Sequence, residues 1–104
     1  MTLDEIREMV AAIDPTAGHY ESEHRDGDPY TVWRERRPLP YTADGQHIGA
    51  LRFQVDRFTK SENDAIAAAL FAALEAREDV AFEYLPDYEP DTGYIHHIFD
   101  CEGI

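Results

Sequence analysis

Leu51, Phe53 and Val55 alternate with Arg52, Gln54 and Asp56, and this two-residue period constrains the chain more than any other feature. Successive side chains of an extended segment point to opposite faces, so the alternation reads as a strand with one dry and one wet side. The dry side needs a second layer, and two helical patterns supply it. Leu3, Ile6, Val10 and Ile13 recur at helical spacing over residues 3–13, with Thr2 and Glu5 placed for a capping box and Asp14-Pro15 as the stop. Ile66, Leu70 and Leu74, with Phe71 beside them, predict a second helix over roughly residues 62–77. Ser61 opens it with Asp64 three positions on, and seven alanines between Ala65 and Ala76 leave it thin enough to lie close against a sheet.

The remaining strand chemistry is less regular. Tyr30-Thr31-Val32-Trp33 follows Pro29 and is rich in aromatic and β-branched residues; Pro38 and Pro40 end it or place it at an edge. Asp44-Gly45 supplies a turn, so this run and the one at 51–56 are expected to pair as a hairpin with a long connection. Val80 to Tyr84 and Tyr94 to Phe99 read as two further strands around a turn at Pro90-Asp91-Thr92-Gly93, whereas residues 14–28 read as a loop. The expectation is one α+β domain over residues 1–104, its helices packed on an antiparallel four-stranded sheet in the order α-β-β-α-β-β. No apolar run approaches the roughly 18 residues of a membrane span, and Met1 to Glu5 lacks the basic start of a secretory signal, so a cytosolic protein is expected.

Nine Lys and Arg stand against 22 Asp and Glu, a formal charge of -13. That balance disfavours wrapping nucleic-acid phosphates. The charge is also unevenly placed. Residues 1–28 hold eight acids and two bases, residues 29–60 three acids and six bases, and residues 61–104 eleven acids and one base. A solvated surface accounts for such a bias most simply. The sharper reading is self-complementarity, the basic middle of one copy meeting the acidic flanks of another.

Several clusters invite a chemical reading. His96, His97, Asp100, Cys101 and Glu102 are all possible metal ligands. On a strand, however, His96 and Asp100 share one face while His97 and Cys101 share the other. A zinc site would need a bend, or distant His19 or His24, and hydrogen-bonded strand histidines are the better expectation. Asp56, Glu35 and Lys60 could form an acidic magnesium trio, but nothing in their spacing singles them out, and Asp56 is expected beside a nearby arginine. Cys101 sits between Asp100 and Glu102, which disfavour a reactive thiolate. Phosphate loops, nucleophile elbows and zinc-protease motifs do not occur in the sequence. Tyr84, Tyr88 and Tyr94 read as packing or as an aromatic strip suited to a protein interface. No catalytic residue, metal or cofactor is expected.

Pro29-Tyr30-Thr31-Val32 opens a strand after an N-terminal helix and loop, and Arg52-Phe53-Gln54-Val55-Asp56-Arg57-Phe58 forms the next; a helix from Asp64 to Ala76 and two closing strands follow. In this order and these strings, residues 29–100 resemble the tail terminator and tail-completion (head-tail joining) proteins of long-tailed bacteriophages and prophage-derived tail particles. The resemblance implies a non-enzymatic hexameric ring that caps the tail tube and joins it to the head connector, located in the virion tail and, during assembly, in the host cytoplasm. Such a ring needs a heterologous contact. Arg34, Arg36, Arg37, Arg52, Arg57 and Lys60 offer one sign for it, and Glu62, Asp64, Glu75, Glu78, Asp79 and Glu83 the other. Surplus acid lining the hole would let DNA pass without sticking. A second function class fits the composition too: a small acidic inhibitor or DNA mimic that occupies a host nucleic-acid enzyme. Such a protein would have no use for the basic stretch at 34–60.

Overall fold

The computed structural model describes residues 1–36, 41–43, 46–48 and 51–103, with 41–43 and 46–48 described through their backbone alone. In chain order the elements are α1 (Leu3–Ile13), β1 (Gly18–His19), β2 (Tyr30–Glu35), β3 (Tyr41–Ala43), β4 (Gln46–Ile48), β5 (Leu51–Thr59), α2 (Ala65–Glu75), β6 (Val80–Glu89) and β7 (Tyr94–Gly103). The alternating segment becomes β5, the middle strand of a five-stranded sheet ordered β1-β2-β5-β7-β6. It pairs antiparallel with β2 on one side, Val55 opposite Trp33, and with β7 on the other, Val55 opposite Phe99. On its dry side Phe53 and Val55 are fully buried with Trp33, Phe99 and Cys101, under Ile6 and Val10 of α1 and Leu70 and Leu74 of α2. Burying a side chain of this kind is worth about 1.5–3 kcal/mol, so this one layer of contacts holds the two helices on the sheet.

The α+β class expected from the sequence is present, and so is the antiparallel pairing of β2 with β5 across a long connection. The sheet differs from the expected four antiparallel strands. It has five and is mixed, because Gly18–His19, read as loop, pairs parallel with Val32–Trp33. Sequence periodicity cannot register a two-residue strand held by tertiary contacts: the His19 ring stacks on Trp33 at 3.9 Å, and the Tyr20 N–H donates to the Trp33 carbonyl at 2.8 Å. Only glycine fits at position 18, since a Cβ there would stand 1.7 Å from the Glu21 carbonyl oxygen. β3 and β4 form a separate two-stranded sheet. The expected Asp44-Gly45 turn lies outside the described residues, as do Pro38, Pro40 and Arg37.

Helix α1 has the predicted bounds and start, the Thr2 side chain accepting from the Glu5 N–H at 3.2 Å. Helix α2 begins three residues later than its pattern suggested. Asp64, not Ser61, is its cap, accepting from the Ala67 N–H at 2.8 Å, while the Ser61 N–H turns back to the Thr59 hydroxyl. β6 and β7 outrun their predicted ends because they pair with each other from Val80–Gly103 to Glu89–Tyr94. Gly93 closes the hairpin at φ +76°, a backbone conformation that favours glycine.

Candidate functional site

Because the helices cover one side of the sheet, the other side is a second surface, and no described helix packs on it. Register places its side chains in rows running from β2 to β6. One row holds Arg34, Gln54, Asp100 and Glu83; the next holds Val32, Asp56, Ile98 and Leu85; a third holds Tyr30, Phe58, His96 and Asp87. Arg36 and Arg52 extend the basic side beyond the first row, the Arg36 N–H donating to the Arg52 carbonyl, while Glu102 lies opposite Arg52 on β7. The face is therefore basic along β2 and β5 at one end, acidic along β7 and β6, and apolar towards the middle, where Leu85 is 46% exposed. Arg36 reaches across to Asp100 at 2.6 Å, which raises its pKa through that hydrogen bond and charge. Arg52 is half-buried against Glu83, Asp100 and Glu102, and its Nε hydrogen finds no acceptor among the described residues.

Arg57 points to the helix side instead, and there it is 6% exposed. Its guanidinium grips the Asp64 carboxylate through two bonds of 2.9 and 3.1 Å, and reaches the Thr31 hydroxyl at 3.3 Å and Asp14 at 3.5 Å. Burial works to raise the pKa of both carboxylates but is outweighed. Hydrogen bonds from Thr16 and Thr31 and the Arg57 charge bring Asp14 down; the Arg57 hydrogen bonds, the Ala67 N–H and the Arg57 charge bring Asp64 down. One cation thus ties the end of α1, strand β2 and the start of α2 together. Arg57 and Asp64, expected to meet a neighbouring copy, instead meet each other inside one chain.

The other expected contact residues divide differently. Arg34 is exposed on the face away from the helices, with no ion pair among the described residues, and Glu83 stands exposed at the far side of the same face. Lys60 lies 5.3 Å over the Tyr94 ring. Glu62 is exposed ahead of α2, Glu75 and Glu78 are exposed around its end, and Asp79 is bonded to Arg77 by two bonds of 2.8 Å. The strand period already puts Arg57 on the dry face with Phe53 and Val55 and Arg52 on the other; what spacing could not supply is the pair of carboxylates, Asp14 and Asp64, that meets Arg57 there.

The chemical clusters come apart in the same way. His96 and His97 take opposite faces as the strand period requires. His96 bonds Asp56 at 2.8 Å and stacks on Phe58 at 4.0 Å, whereas His97 bonds the Tyr84 hydroxyl through Nδ1 at 2.6 Å. Asp56 is therefore held by a histidine and by Gln54, not by an arginine. Glu35, far from Lys60, is bound by His19 and Tyr20. Among the described residues, no group of three or more His, Cys, Asp or Glu side chains is arranged to hold a metal ion. Cys101 is buried, and burial, with Asp100 and Asp56 nearby, pushes its thiol up to about 12, so it is not a nucleophile at neutral pH. Tyr94 is buried, its hydroxyl donating to the Asp28 carbonyl at 2.8 Å, while Tyr84 and Tyr88 are exposed on β6.

No family model matches this chain, and a search of curated proteins finds no significant match. No described helix is long and apolar enough to cross a membrane. Among the described residues, the feature the arrangement brings together is the sheet face graded in charge from β2 to β6.

Proposed function

We propose that this protein is a structural, non-enzymatic component of a bacteriophage or prophage-derived tail: a tail terminator that associates with itself into a hexameric ring, caps the tail tube and joins it to the head connector. Its support comes from the sequence strings at 29–58 and from one structural observation, the separation of charge across the sheet face on which no described helix packs. Arg34, Arg36 and Arg52 lie towards one edge of the sheet, and Glu83, Asp100 and Glu102 towards the other. A surface graded in this direction can meet a copy of itself side to side, the heterologous geometry a ring requires. The surplus acid left over faces DNA without adhering to it, as a passage would need. Light scattering over a concentration series, with and without tail tubes, should give a mass above the monomer. Electron microscopy of tails assembled without the protein should show overlong tubes. Tubes of normal length in its absence would refute the terminator role.

One observation favours the second reading, an acidic inhibitor that imitates DNA. Along β6, Glu83 and Asp87 stand exposed on one strand, with Glu78 just before it. A monomer that bound a nucleic-acid enzyme in competition with duplex DNA would establish that class instead.

A further inference from the structure

We propose that the hollow between α2 and β6 is a docking pocket for an arginine side chain of a neighbouring copy of this chain, and that Arg34 is the residue inserted. The proposal rests on the self-associating reading above and specifies its contact. Alanines on the outer side of α2 leave a hollow of about 580 Å³ beside β6, lined among others by Glu62, Asn63, Ala68, Phe71, Tyr84 and His97. Phe71 and Tyr84 are 37% and 36% exposed and meet edge to face at 5.6 Å, so two aromatic walls are left partly bare.

His97 is the observation that marks the hollow as incomplete in the isolated chain. It is 8% exposed, its Nδ1 is bonded to Tyr84, and its buried Nε2 has no hydrogen-bond partner among the described residues. A buried polar group left unmet costs about 1–3 kcal/mol, which a donor from outside would recover. Glu62, also lining the hollow, adds an exposed carboxylate with no ion pair among the described residues, whereas the nearby Asp64 is already committed to Arg57. Aromatic walls, a carboxylate at the rim and an unmet imidazole nitrogen together suit a guanidinium. It stacks on rings, pairs with carboxylates and carries only donors.

The chain has a cation of the right kind on its other side. Among the described arginines, Arg7, Arg36, Arg57 and Arg77 are in ion pairs, Arg52 is half-buried, and Arg25 lies in the loop before β2. Arg34 is exposed, has no ion-pair partner among the described residues and is held on a strand that sets its direction. It cannot reach the hollow of its own chain. β5 and β7 stand between β2 and β6, a separation of about 14 Å, and Arg34 is on the face away from α2. Donor and pocket therefore sit at opposite sides of the subunit, and a contact between them repeats head to tail from copy to copy. Because the guanidinium can only donate, its arrival selects the His97 tautomer in which Nδ1–H donates to the Tyr84 oxygen and Nε2 accepts.

The test is a charge exchange read by sedimentation of the full chain. Arg34→Glu and Glu62→Arg, both at exposed positions, should each weaken self-association about 30-fold, the effect of losing an interface anchor. The double variant should recover to within about threefold of the natural chain. Ala68→Phe, which fills the hollow, should weaken assembly without any change of charge. In nitrogen NMR the His97 Nε2 signal should move to the position of a hydrogen-bonded acceptor on assembly. If the natural chain assembles while the single variants, with unchanged melting temperatures, assemble equally well, the pocket is refuted and the ring reading stands. If the single variants weaken assembly and the charge exchange fails to restore it, the Arg34–Glu62 contact is refuted. A natural chain that stays monomeric at every concentration and on tube ends overturns both.

Discussion

Replacing Arg57 with alanine tests the interior network most directly. The change removes one cation from between two carboxylates whose side chains are 8% and 11% exposed, Asp14 and Asp64. It also deletes the two short bonds to Asp64 and the bond to Thr31. Breaking a buried pair by removing one partner costs about 3–5 kcal/mol, because the remaining charge stays desolvated. For a domain of this size each kcal/mol lowers the melting temperature by about 4–8 °C, so a fall of at least about 12 °C is expected. Chemical denaturation as a function of pH adds a sign. In the natural chain Asp14 and Asp64 have pKa values lowered below the unfolded value of about 3.9, so their contribution is complete above that pH and is lost as pH falls through the folded values. In Arg57→Ala the carboxylates keep their burial and lose the cation, so their pKa values rise and the stability lost on acidification through the carboxylate range is smaller than in the natural chain. A loss under about 1 kcal/mol, the range of exposed pairs, together with parallel pH profiles, would refute the account. The same reasoning means that Arg57→Glu tests folding rather than assembly.

Three further outcomes are expected. Burial lowers the His97 pKa, so the folded state disfavours its protonation and stability should decline as pH drops below about 6.5; His97→Gln should flatten that slope in denaturation curves, and an unchanged slope would assign it to another group. Cys101 should resist thiol reagents at pH 8 in the native protein and react fully in denaturant, whereas rapid native labelling would contradict its burial. Gly18→Ala should displace the Glu21 backbone, destabilise the protein by about 1–3 kcal/mol and change the fluorescence of Trp33, on which His19 stacks; unaltered emission and melting would show that β1 is dispensable.

Where the sequence was informative, the signal was local and repeated. The Thr2 cap and the spacing of Ile6 and Val10 marked α1, and the alternation at 51–56 marked β5, because each depends only on residues within a turn or a pleat of one another. The division of His96 and His97 between two faces followed from the same period. Less legible were features that depend on a distant partner. Asp64 caps α2 in place of Ser61, and its carboxylate is gripped by Arg57, seven residues away. β1 exists because Trp33 lies beside it.

Two helices, a strand with one dry side, and a basic middle between acidic flanks were settled by residue order alone, since periodicity and composition act over short stretches of chain. Which basic residues could face another molecule was decided by the tertiary structure. Alternation puts Arg57 on the dry side of β5 and Arg52 on the other, but the fold brings α1 and α2 over that dry side and pairs Arg57 with Asp14 and Asp64. Arg34 and Arg52 lie on the side where no described helix packs. A desolvated charge is tolerable only where partners from elsewhere in the chain meet it, and no pattern within a single strand says which partners those are.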